Sequence, residues 1–104
     1  MNITMECTPE EDEAFNAMGQ IDATLTERGK RYGKFRDHAG ISQALKMVMY
    51  GHNELLADDQ QEALEMICHK MARILNGDPN YVDSWIDIAG YAKLISDRLQ
   101  GVER

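Results

Sequence analysis

A chain of 104 residues, 43% hydrophobic and 28% charged, is long enough for one core and too short for a second, so it reads as a single domain over 1–104. A net charge of −7 argues against general binding to nucleic acid or to anionic membrane. No apolar run approaches the roughly 18–20 residues that span a bilayer. The opening MNITMECTPEEDEAF lacks a basic region followed by an apolar one, so a cytoplasmic location is expected.

Two prolines and no serine- or glycine-rich tract leave disorder only for the termini, with 1–7 read as a flexible tail. Cys7 and Cys68 lie in unlike contexts without CxxC spacing and read as reduced thiols. The charge is unevenly spread. Residues 1–26 carry six acids and no Lys or Arg, 27–36 carry five bases against Glu27, and the remainder is again acidic.

Thr8, Pro9 and Glu11 spell a capped helix start, with a hydroxyl cap, proline at the first position and a glutamate that closes a capping box. This first helix is expected over about 9–28, with Gly19 a point of interruption. TERGKRYGKF breaks the periodicity at Gly29 and Gly33 and reads as a loop. In ISQALKMVMYGHNEL, the residues Ile41, Leu45, Val48 and Met49 form one apolar helical stripe that stops near Gly51. ADDQQEALEMICHKMARILNG is the clearest helix, capped by Asp58 or Asp59 and ended by Gly77, with Ala63, Leu64, Ile67, Met71, Ile74 and Leu75 as its buried face. After GDPN, Asn80 is placed to cap a last helix running to about Gln100. The fold class is all-α, a small antiparallel bundle of about four helices.

The last helix carries the main puzzle. Trp85, Ile88, Ala89, Ala92, Ile95 and Leu99 fall on one side, read as the core face. Asp83, Ile86, Asp87, Gly90, Leu94 and Asp97 share the other, where acids one turn apart repel unless a cation lies between them. Asp83 sits in the first turn, where the helix dipole favours a carboxylate. Asp87 lies a turn deeper, and Lys70 or Arg73 of the preceding helix is its expected partner. A face holding both acids and aliphatics on a helix that is apolar elsewhere also points to burial between chains, hence to a homodimer or larger assembly.

Two constellations could carry chemistry. Glu62 and Glu65 with Asp83 and Asp87 would offer an oxygen-rich site suited to Mg²⁺, with one carboxylate orienting or deprotonating an attacking water. The plain alternative is a solvated acidic face. The second constellation is RGKRYGKFR, where Arg28, Lys30, Arg31, Lys34 and Arg36 surround Tyr32 and Phe35. It suits the phosphates of a nucleotide with an aromatic for the base, Lys70 and Arg73 supplying further charge; the alternative is a loop balancing the acidic first helix. His69 reads as a surface partner of Glu65, and His38 and His52 show no ligand spacing.

RYGKF, KMARILNG and DSWIDIAGYAKL together resemble a family of small phage and prophage proteins carried as a domain of unknown function. That family is more distantly similar to the all-α MazG-type nucleoside triphosphate pyrophosphohydrolases. The resemblance implies a MazG-like bundle holding Mg²⁺ on two glutamates three apart, matched by Glu62 and Glu65, and on a Glu-x-x-Asp, matched loosely by Asp83 and Asp87 with Asp for Glu and a spacing of four.

Two functions follow as expectations. One is a Mg²⁺-dependent hydrolase that splits a nucleoside triphosphate between its α- and β-phosphates. The other is a phage accessory protein without turnover, which holds a signalling nucleotide or binds a host defence protein.

Overall fold

Thr8 opens the first helix as its sequence dictates. Its hydroxyl accepts from the Glu11 amide at 3.2 Å, and the Glu11 carboxylate accepts from the Thr8 amide at 3.1 Å. From there α1 runs over Pro9–Tyr32. The computed structural model describes residues 8–104; the expected tail 1–7, with Cys7, lies outside them. Three further helices follow, α2 over Phe35–Tyr50, α3 over Asp58–Asn76 and α4 over Val82–Leu99. The protein is all-α, with no strand among the described residues.

Most of the expected loop TERGKRYGKF is helical. Gly19 and Gly29 both lie within α1, and only Gly33 and Lys34 separate it from α2. Helical context outweighs the roughly 1 kcal/mol by which an interior glycine disfavours a helix. At Gly33 the backbone does leave the helix, with φ of 75°, and a Cβ there would collide with the Asn76 backbone. Gly77 is equally close to Arg31 and Tyr32. The two glycines let the α1–α2 turn and the α3–α4 turn touch. Asn76 then clasps the contact, its Nδ2 donating to the carbonyls of Tyr32 at 2.9 Å and Lys34 at 3.1 Å, while the Asp78 amide donates to the Arg31 carbonyl at 2.7 Å.

Helix starts were less well read further on. Ala57 rather than an aspartate is the cap of α3, with the Gln60 side chain accepting from its amide at 2.9 Å. Tyr81 rather than Asn80 caps α4, because the Asn80 amide is turned toward the Asp78 carboxylate at 2.9 Å.

α3 is the central helix, packed against α2 on one flank and α4 on the other, and α1 touches the group only near its own C-terminus. The interface with α4 is pinned by two ion pairs, Asp59 with Arg98 at 2.6 Å and Lys70 with Asp87 at 3.0 Å. Asp59 and Lys70 are eleven residues apart, as are Asp87 and Arg98, so one antiparallel register satisfies both. The packed face of α4 is therefore Ser84, Asp87, Ile88, Tyr91, Ile95 and Arg98. Trp85 is 54% exposed, with its ring N–H on the Pro79 carbonyl at 2.9 Å. This corrects the reading of Trp85, Ala89, Ala92 and Leu99 as core.

The result is the expected small bundle of four helices, with the helices set side by side in a row so that one face stays open. Ala63 and Ala72 are the only buried hydrophobic residues among those described. Val48, Leu64, Met71, Leu75, Trp85 and Leu99 all remain exposed, although several were expected inside. A helix with neighbours on two flanks keeps a third face open when no second layer covers it. The radius of gyration is 19.9 Å, against about 13 Å for a compact domain of this length.

The Asn76 clasp yields a prediction. Asn76→Ala removes two hydrogen bonds, the one to the Tyr32 carbonyl partly buried, and should lower stability by about 1–3 kcal/mol, read as a lower melting temperature. Gly33→Ala, strained and obstructed at once, should lower it at least as far; unchanged melting in both variants would refute the clasp.

Candidate functional site: a cationic cleft beside the clasp

By bringing the two turns together, the clasp leaves a cleft of about 440 Å³ between the end of α1, the start of α2 and the last turns of α3. Arg28, Tyr32, Lys34, Phe35, His38 and Arg73 supply its side-chain chemistry, with Leu25, Gly29 and Gly33 completing the wall. Three cations line it and no Asp or Glu does, in a chain of net charge −7. None of the three is ion-paired with a carboxylate among the described residues. The Arg73 guanidinium lies over the Tyr32 ring, 4.3 Å from its centroid, which orients it without neutralising it. Phe35, at the rim, is 77% exposed.

The basic island therefore divides. Arg28, Tyr32 and Lys34 reach the cleft and meet Arg73 from α3, as a phosphate-binding reading requires. Arg31 does not. It pairs with Glu27 at 2.6 Å, donates to the Tyr81 hydroxyl and stacks over that ring at 4.4 Å. The Tyr81 hydroxyl in turn donates to Asp83 at 2.7 Å, and this bond raises the tyrosine pKa above its usual value, so the proton stays. Arg31 thus ties α1 to the start of α4. Lys30 is exposed on α1 and lines no part of the cleft. Lys70 is held by Asp87.

The four acids read as a metal site are not gathered within one chain. Asp87 meets Lys70 as expected, but Asp83 is taken by Tyr81, and Glu65 accepts from the Tyr50 hydroxyl at 2.7 Å. Glu62 borders a separate hollow with Tyr91, Leu94 and Arg98. In the register fixed by the ion pairs, Glu62 is eight residues from Lys70, or about 12 Å along the axis from the level of Asp87. Among the described residues no group of three His, Cys, Asp or Glu side chains stands close enough to hold a metal ion. The hollow beside Glu62 is larger, about 540 Å³, but its cations are spoken for, Arg98 by Asp59 and Arg104 by Asp97.

Sequence reasoning missed His38. Its ring is buried, lies 4.5 Å from the His69 ring in an edge contact, and places Nε2 3.1 Å from the His69 carbonyl, to which its N–H donates. The signal was its place on the buried stripe of α2 with Ser42, Leu45 and Met49, which the apolar pattern alone does not reveal. His69 is not a surface partner of Glu65. Burial first, then Arg73, push its pKa down to about 4, so it is neutral at pH 7.

The pattern that defines DUF6378, a domain of unknown function, matches residues 17–99. The chain belongs to that family. The match runs from the middle of α1 to the last residue of α4 and takes in the whole cleft. No curated protein and no solved structure matches the chain.

The depressed pKa of His69 has a direction that can be measured. The unfolded chain, with an ordinary histidine near 6.5, binds a proton that the native state refuses, so stability is full above that value and falls as pH drops toward about 4. Melting temperature should decline between pH 7 and pH 5, and His69→Gln should flatten the decline. Equal slopes in the two proteins would contradict this.

Proposed function

We propose that this DUF6378 protein binds a nucleotide or a similar phosphorylated, ring-bearing ligand in the cationic cleft, without turning it over. The observation that carries the reading is the cleft lining, three cations without a facing acid next to an exposed aromatic. Arg28, Lys34 and Arg73 come from three different segments, so a multi-phosphate anion can be held from several sides by charge-assisted hydrogen bonds. Phe35, exposed at the rim, offers a face on which a base can stack.

A Mg²⁺-dependent hydrolase needs the carboxylates to converge. Glu65, Asp83 and Asp87 are each engaged by another side chain and Glu62 borders a separate hollow, and this dispersal within one chain favours binding over hydrolysis. The likeness to phage proteins and to MazG-type enzymes stays a likeness of motifs, and the matched family brings no activity with it. Self-association belongs to the same reading, because the open face of the helix row is apolar and carries no charge on α3 between Gln60 and Leu75 in line with Leu64 and Met71.

Titration calorimetry with nucleoside triphosphates tests the proposal. At least one should bind. Arg73→Ala and Lys34→Ala should each weaken binding about 10- to 150-fold, the effect of losing one charge-assisted hydrogen bond of about 1.5–3 kcal/mol. Binding should weaken as salt rises. Ligand recovered after heat denaturation, with Mg²⁺ present throughout, should be chemically intact. Release of pyrophosphate would overturn the binder in favour of the hydrolase, and no binding of any triphosphate would remove the nucleotide and leave a host protein as the partner.

A further inference from the structure

The N-terminal two thirds of α1 projects from the rest of the molecule. None of its residues is buried, and the molecule reaches 71 Å in its longest dimension, against 30 and 27 Å in the others. The projecting part, roughly 16 residues of the 24, is barely longer than the roughly 12–15 below which an isolated helix is marginal in water, so covering one of its faces would steady it. The face in question is regular. Glu11, Ala14, Met18, Ile21, Leu25, Arg28 and Tyr32 follow one another at alternating steps of three and four, the repeat of a coiled-coil seam. Met18, Ile21 and Leu25 at its centre are roughly half exposed or more.

The charge on α1 indicates what covers that seam. Before residue 27 the helix carries Glu10, Glu11, Asp12, Glu13 and Asp22 and no base; from Arg28 onward it carries Arg28, Lys30 and Arg31 and no acid. A parallel copy would set acid beside acid along one half and base beside base along the other. An antiparallel copy sets each half on its opposite. With Met18 level with Ile21 of the second copy, Ala14 falls opposite Leu25 and Glu11 opposite Arg28. A two-fold axis then repeats every contact, as an isologous interface requires.

We infer that α1 is a self-association element, pairing antiparallel with α1 of a second copy of this chain through Met18, Ile21 and Leu25 and closing each end with a Glu11–Arg28 ion pair. Leu25 and Arg28 belong to both surfaces, so in the dimer Arg28 is shared with the Glu11 carboxylate across the seam and Lys34 and Arg73 are the cations left free to hold an anion in the cleft. Each cleft is then bordered by two chains.

Sedimentation of the full chain tests this without any ligand, so its outcome is independent of the nucleotide reading. The wild-type protein should sediment at twice the 11.8 kDa of one chain, or four times if the open face of the helix row also pairs. Ile21→Glu, an exposed site, should halve that mass while the helical circular dichroism is kept. Arg28→Glu should raise the dissociation constant at least tenfold, and adding Glu11→Lys should recover most of the loss by restoring opposite charges across the seam. A wild-type monomer, a mass untouched by Ile21→Glu, or a charge exchange that fails to recover association would each overturn the inference.

Discussion

One side chain decides how the two ends of the molecule meet. Asn76, the last residue of α3, donates to the carbonyls of Tyr32 and Lys34 on either side of the only break between α1 and α2. A helix C-terminus normally leaves carbonyls in need of donors, and here one amide group serves two carbonyls of the α1–α2 turn, where that turn meets the α3–α4 turn at Gly33 and Gly77. Remove that crossing and Arg73 no longer stands over Tyr32, and the cleft has no third wall. The clasp also explains why the cations are unneutralised. α1 arrives with its basic end, and the neighbouring end of α3 brings Arg73, while the acids of α3 lie at or before Glu65, toward its other end.

Register does the opposite for the carboxylates. The Asp59–Arg98 and Lys70–Asp87 pairs fix how far α3 and α4 slide past one another, and that setting holds Glu62 and Glu65 apart from Asp83 and Asp87. Spacing along each helix was suitable for a shared ion; the offset between helices was not. Exposed ion pairs contribute little stability on their own, typically up to about 1 kcal/mol, so their weight here is in specifying alignment rather than in strengthening the fold.

The helix row is unusual for its lack of cover. Its central helix buries two alanines where it meets its neighbours, which allows close approach of the backbones, and turns Leu64, Met71 and Leu75 outward. With so little apolar surface removed from water inside one chain, covering the open faces with a second copy would add to stability. The seam on α1 and the open face of the row are separate surfaces, and each gives the chain a reason to associate.

The sequence by itself determined the helices and their order. The Thr8 capping box, the stripe of α2 through Ile41 and Leu45, and the end of α3 at Gly77 are local matters of caps and periodicity, settled within a few residues. It also marked the basic island, because charge composition is visible without coordinates. Only the tertiary structure decided which island residues act together. Arg28 and Lys34 were brought to Arg73, whereas Arg31, indistinguishable from them in the sequence, was committed to Glu27 and Tyr81. The same holds for Trp85, whose apolar side looked like a core face until the ion pairs turned α4 by its register, and for His38, whose burial depends on where α3 lies. Helical periodicity says which residues share a face; which face is covered depends on the position of the next helix, and that was set here by contacts 30 to 50 residues apart in the chain.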